Sequence, residues 1–120
     1  MTDTDPDQYG RLTVRRSTAD GVRIIALHGE LDQDTRQRAG HALNPPDGDT
    51  TPHTVADLTA LTFMDSSGIN TLIAAHLAAT EAHGWLRVAG AQPQVLRLLR
   101  LVGIDTLIPC HPTVREALDS

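Results

Sequence analysis

A strand-like segment, Thr54-Val55-Ala56-Asp57-Leu58, leads through Phe63-Met64-Asp65-Ser66-Ser67-Gly68-Ile69 into a long amphipathic helix pattern. That passage fixes an α/β architecture locally, because a helix that follows a strand so closely must pack back on the sheet. It also places two hydroxyls and a carboxylate at a helix start, where backbone N–H groups lack intrahelical partners and the macrodipole favours negative charge. A serine there either caps the helix or carries a phosphate that the same N–H groups help to hold.

The rest of the chain repeats the alternation. Leu12-Thr13-Val14 and Val22 to Leu27 read as strands, joined through Asp20-Gly21, a favoured tight-turn dipeptide. Gly29-Glu30-Leu31-Asp32 reads as the loop that ends the second strand. A modest helix from Asp34 to Leu43 follows, with Ala39, Ala42 and Leu43 inward. Asn44-Pro45-Pro46-Asp47-Gly48-Asp49 breaks it. From Ser66 the residues Ile69, Leu72, Ile73, His76, Leu77 and Thr80 recur at helical spacing, and Gly84 stands where a stop belongs.

Trp85 to Ala89 reads as another strand. Pro93 opens a helix whose inner stripe is Val95, Leu98, Leu99 and Val102, with Arg97 and Arg100 outward and Gly103 at its end. Thr106 to Ile108 is expected as an edge strand and Pro112 to Leu118 as a closing helix. Residues 1–10, acidic and broken by Pro6, are expected to be a disordered leader, and 11–120 a single domain. The fold class is therefore α/β, with a mixed β-sheet of about four to five strands covered by about four helices.

Composition removes several functions. The net charge is −5, every one of the ten basic residues is arginine, and Tyr9, Phe63 and Trp85 are the only aromatics. That balance speaks against nucleic-acid and acidic-membrane partners, and there is no stacking platform for single strands. Cys110 is alone, which excludes an intrachain disulfide and fits a reduced, cytoplasmic setting. No run is apolar enough to span a membrane. A nucleophile elbow around Ser66 fails because Met64 occupies its first glycine position. The histidines, His28, His41, His53, His76, His83 and His111, lack paired ligand spacing, so no metal is expected. His76 reads as a hydrogen-bonded boundary residue. No Gly-rich loop suits a nucleotide, so no cofactor is expected.

Gly29-Glu30-Leu31-Asp32, Asp57-Leu58, Phe63-Met64-Asp65-Ser66-Ser67-Gly68, Val88-Ala89-Gly90 and the Leu98-to-Gly103 helix end together resemble the anti-sigma factor antagonists of the STAS domain family. The likeness runs from about Leu12 to Leu118. It implies that Ser66 is phosphorylated by an anti-sigma factor with serine kinase activity. The unphosphorylated chain would bind that partner and release a sigma factor, and a PP2C-type phosphatase would reset the modified form. The chain itself would not be an enzyme, and would be a monomer or weak dimer.

Asp32, on this resemblance, either orients the Ser66 hydroxyl or meets a basic group of the partner; its alternative role is to cap the helix near Asp34. Asp65 is a candidate N-cap, and Ser67 is either a second acceptor or a first-turn structural hydroxyl. Gly68 is read as room for a partner backbone, with helix-to-sheet packing as the competing explanation. Met64 and Ile69 are further candidates for partner binding or support of the phosphosite, although Phe63 and Met64 read first as core-edge residues. Asn70 departs from the family pattern, standing where a second glycine often occurs. The competing use of the same fold is a scaffold or a small-ligand or anion-binding module in a signalling assembly.

Overall fold

A computed structural model describes residues 11–46, 48 and 51–120. The expected leader and part of the proline-containing loop lie outside the described residues. Among these residues the chain forms β1 (Leu12–Ala19), β2 (Val22–Leu31), α1 (Arg36–Leu43), β3 (His53–Asp57), β4 (Leu61–Met64), α2 (Ser66–Glu81), β5 (Trp85–Ala89), α3 (Pro93–Leu101), β6 (Cys110–His111) and α4 (Val114–Asp119). The sheet order is β1-β2-β3-β5-β6, with β4 paired to β2 off this path. Only the β1–β2 pair is antiparallel; all the other pairs are parallel.

The β1–β2 hairpin turns on Asp20 and Gly21, whose φ values of 53° and 80° are the two left-handed residues that a twist-matched two-residue turn needs. Both strands outrun the sequence expectation. β2 continues through Gly29-Glu30-Leu31, which is strand and not loop. Its pairing with β3 ends at Ala26, and from Gly29 it pairs with β4 instead, with a register shift between Gly29 and Glu30 that leaves Thr62 of β4 as the extra residue. β4 itself was not expected.

Strand alternation sorts the side chains onto two faces. One face carries Ile25, Leu27, Ala56 and Val88, covered by α1, α2 and α3 through Ala39, Leu43, Leu72, Ala75, Val95 and Leu99. Each fully buried Leu here contributes about 1.5–3 kcal/mol relative to exposure. The other face packs Val22, Val55 and Ala89 on Ala117 of α4. Trp85 stacks on His53 with ring centroids 4.7 Å apart, and the Arg87 guanidinium lies 3.7 Å from its ring centre.

Several finer expectations are corrected. In α2 the buried line is Gly68, Ile69, Leu72, Ala75 and Ala79, while Leu77 and Thr80 are exposed. His76 is half-buried, but its Nδ1 has no hydrogen-bond partner among the described residues. Val102 is 51% exposed because α3 ends at Leu101 and leaves Val102 as the cap. The left-handed residue after α2 is His83, not Gly84. Gly84 answers a steric need instead: a Cβ there would sit 1.8 Å from the Pro52 carbonyl oxygen, which accepts a bond from the Trp85 N–H. The segment Ile104–Thr106 is a 3₁₀ turn, and the last strand is Cys110–His111.

Candidate regulatory site at the start of α2

The β2 extension and β4 run side by side, pairing Leu31 with Met64, and the Asp65 N–H donates to the Leu31 carbonyl at 3.3 Å. Asp32 and Asp65 are thus the next residues on two neighbouring strands, at one end of the sheet. Asp65 is the N-cap of α2: its backbone is extended, and its carboxylate accepts from the Ser67 N–H at 2.8 Å. Replacing such a cap by alanine removes about 1 kcal/mol in typical helices.

Ser66 then occupies the first helical position and is exposed. Its hydroxyl makes no hydrogen bond to any described residue, so nothing in the fold consumes it. Its own N–H has no intrahelical acceptor by position, whereas the Gly68 N–H already donates to the Asp65 carbonyl at 3.0 Å. Ser67 is half-buried, and its carbonyl accepts from the Thr71 hydroxyl at 2.8 Å. Asn70 is exposed one helical turn beyond Ser66, whereas Met64 and Ile69 are buried beneath the motif. Those two support the site from below; Phe63, 46% exposed, is the apolar side chain the surface offers instead.

Gly68 is explained by packing. A Cβ on it would approach Met64 Cγ to 2.5 Å and Leu31 Cγ to 3.0 Å, so α2 presses directly on the β2 and β4 strands here. The expectation of space for a partner backbone is therefore corrected. Gly68→Ala should lower stability by about 1–3 kcal/mol through overpacking, outweighing the roughly 0.5–1 kcal/mol that alanine gains in a helix. Urea titration measures this directly. A stabilised variant would mean that the position is open after all.

Asp32 is occupied twice over. One carboxylate oxygen accepts from the Asp34 and Thr35 N–H groups at 3.0 and 3.2 Å, which turns the chain into α1. The other is ion-paired and hydrogen-bonded to the Arg11 guanidinium, which also binds Glu30 at 2.6 Å and approaches Asp34 at 3.8 Å. The bonds from Asp34 and Thr35 shape the turn before α1, whose N-cap is Thr35 with no side-chain cap bond, so the capping role anticipated for Asp32 is corrected; no hydrogen bond links Asp32 to Ser66. Its charge is also compensated, so it adds little to an anionic cluster around Ser66.

Arg11 has no role in the sequence reading, although a signal existed. Counting outward from the Ala19–Val22 pair at the turn places Arg11 opposite Glu30, and the Glu30 N–H does donate to the Arg11 carbonyl at 2.8 Å. Buried Thr35 is a second omission: its hydroxyl donates to the Glu30 carbonyl at 2.9 Å and accepts from the Asp32 N–H at 2.9 Å.

The Arg11 hydrogen bond holds the Asp32 carboxyl below the ordinary carboxylate range, against the opposing effect of desolvation and with help from the Asp34 and Thr35 amides. A carboxyl with a depressed folded-state pKa contributes stability that is present above its unfolded value of about 3.9 and lost as pH falls through the folded value. Arg11→Ala should therefore be less stable than the parent at neutral pH, and the gap should narrow below about pH 4. Denaturant curves across that range test it; a gap independent of pH would make the Arg11 contribution one of packing alone.

The domain just described has recognisable relatives. Residues 13–117 match the model of the STAS domain family. An anti-sigma F factor antagonist of Paenibacillus polymyxa is 31% identical over 102 residues, spanning 82% of this chain and 85% of the relative. The crystal structure of an anti-sigma factor antagonist from Mycobacterium paratuberculosis superposes with a TM-score of 0.76 at 29% identity, over 90% of this chain and 92% of that one. The anti-sigma factor antagonist SpoIIAA in its unphosphorylated form shares the fold with a TM-score of 0.67 at 22% identity, over 89% and 94% of the two chains. The chain belongs to the STAS domain family.

Proposed function

We propose that this chain is an anti-sigma factor antagonist that works by partner switching, with Ser66 as its phosphorylation site. The observation that carries the reading is the exposed, uncommitted Ser66 hydroxyl at the first position of α2, in a domain whose relatives bear the antagonist name. In this reading the unmodified surface around Ser66, Phe63 and Asn70 binds an anti-sigma factor with serine kinase activity and so releases a sigma factor. Phosphorylation adds about −1.5 to −2 charges and three acceptor oxygens at that surface and dissociates the complex. A PP2C-type phosphatase restores the binding form.

The chain supplies the acceptor and the surface, and the partner supplies ATP and the transfer chemistry. Such a protein acts in the cytoplasm; among the described residues no helix is long and apolar enough to cross a membrane. Refolding is not needed for the switch. Asp65 already fixes the helix start through Ser67, and a negative group at the first turn is favoured by about 0.3–1 kcal/mol.

Intact-mass and phosphopeptide analysis of the protein taken from its own cells, in growth and under stress, tests the proposal. A single phosphate on Ser66 that disappears under stress is the expected result. Ser66 unmodified in every condition would turn the reading toward a scaffold or a small-ligand or anion-binding module.

A further inference from the structure

α3 carries more apolar side chains than the core uses. Val95 and Leu99 are buried on the sheet, and Leu98 packs beside them. Leu96 and Leu101 instead line an outward groove of about 430 Å³ with Ala91, Pro93, Arg97 and Arg100. Leu101 is 77% exposed, and Val102 and Leu107, at the helix end and just after the next turn, are 51% and 46% exposed. Leu101 and Val102 are consecutive large exposed aliphatics at the end of this helix, unusual for a surface that meets only water.

The charges on this groove are one-sided. Its lining includes two guanidinium groups and no carboxylate, in a chain whose net charge is −5. Neither the Arg97 nor the Arg100 side chain makes a hydrogen bond or ion pair with a described residue. Two uncommitted cations beside an apolar trough complement a ligand that is apolar on one face and anionic at its margins.

The backbone narrows the choice further. Only the terminal turns of α3 leave backbone groups unpaired, and its middle offers no continuous row of free N–H and C=O groups, so an extended strand would find no ladder to join along it. A helix, whose own middle is likewise self-satisfied, can lay one face in the trough. The nine residues of α3 span about 14 Å, room for two to three turns of such a partner.

We propose that the outer face of α3 is a docking groove for an acidic amphipathic helix of a partner protein, seated on Leu96 and Leu101 and flanked by Arg97 and Arg100. This interface is separate from the Ser66 surface and does not rest on the partner-switching reading.

The test is an amide NMR titration of the full chain with two synthetic helical peptides. They share one leucine pattern at i, i+3, i+4 and i+7 and carry either glutamate or lysine at the flanking positions. The glutamate peptide should shift the amides of α3 and of Leu107, and the lysine peptide should bind at least tenfold more weakly. Leu101→Asp should lower glutamate-peptide affinity at least tenfold, and the Arg97→Glu/Arg100→Glu double variant should reverse the preference. All three side chains are exposed, so the variants should keep the parent amide spectrum elsewhere; should Leu101→Asp unfold, the charge-reversed double variant carries the test. Ser66→Asp should leave peptide binding unchanged.

Equal binding of the two peptides, shifts confined to other surfaces, or no binding would overturn the proposal. So would sedimentation showing a dimer that Leu101→Asp dissociates, because the groove would then belong to a second copy of this chain.

Discussion

On the proposed partner-switching function, Ser66→Asp is expected to fold like the parent and to bind the anti-sigma kinase more than a hundredfold more weakly. The first half follows from the local structure. The Ser66 hydroxyl has no partner among the described residues, and the helix is capped by Asp65, so neutral changes at Ser66 should move stability by no more than about 0.5 kcal/mol. Ser66→Asp should move it by no more than the roughly 0.3–1 kcal/mol that a first-turn negative charge gains. The second half follows from what a partner must do to this surface. Covering Ser66 strips water from whatever the side chain carries, and a carboxylate or phosphate resists that far more than a hydroxyl. A loss of about 3 kcal/mol already exceeds a hundredfold in affinity. Ser66→Ala keeps a small neutral side chain and removes the acceptor, so it should bind constitutively and take up no phosphate. Calorimetric titration of the three proteins with the anti-sigma kinase separates the cases. Full affinity in Ser66→Asp would remove the electrostatic switch, whereas unfolding of either variant would make Ser66 a structural cap.

The parts of this arrangement that were legible in the sequence are those set by local chemistry. Asp20-Gly21 marks the hairpin because few dipeptides adopt two positive φ values. Asp65 preceding Ser66 marks the α2 start because a carboxylate at that place bonds a first-turn N–H. Where the signal depended on distant pairing, it failed. β4 has only four residues, and its two middle side chains are exposed, so neither length nor alternation distinguishes it. It exists because β2 runs on past its pairing with β3 to meet it, with Thr62 of β4 as the extra residue at the register shift.

The buried face of α2 was misphased for a different reason. Ala74, Ala75, Ala78 and Ala79 suit several orientations of the helix. The close packing of Gly68 on Leu31 and Met64 selects one. The two aspartates at the sheet end, Asp32 and Asp65, fared unequally as well. Asp65 acts two residues along its own chain, whereas the charge of Asp32 is met by Arg11, which directly precedes β1 and is distant in sequence.

That dependence on β2 makes Gly29 the position where a single methyl group should do most harm. Its φ is 111°, a backbone conformation that L side chains rarely adopt, and a Cβ there would lie 2.0 Å from the Arg11 carbonyl oxygen. The carbonyl cannot simply move away, since it accepts the Glu30 N–H at 2.8 Å. Gly29 also donates to the Ala60 carbonyl at 3.0 Å and accepts from the Thr62 hydroxyl at 3.0 Å, joining β2 to both sides of the turn that begins β4. Backbone strain of about 1–3 kcal/mol and overpacking of about 1–3 kcal/mol act together in Gly29→Ala. A loss of roughly 2–6 kcal/mol is a large share of the roughly 5–15 kcal/mol that holds a domain of this size. Beyond stability, relief of the clash must displace either Arg11 or the bulge, so Asp32 and Asp65 should lose their alignment at the sheet end. Thermal and denaturant unfolding measure the first effect, and amide shifts of residues 30–35 and 61–68 report the second. A Gly29→Ala protein that melts with the parent and keeps those shifts would show that the bulge does not hold the site together.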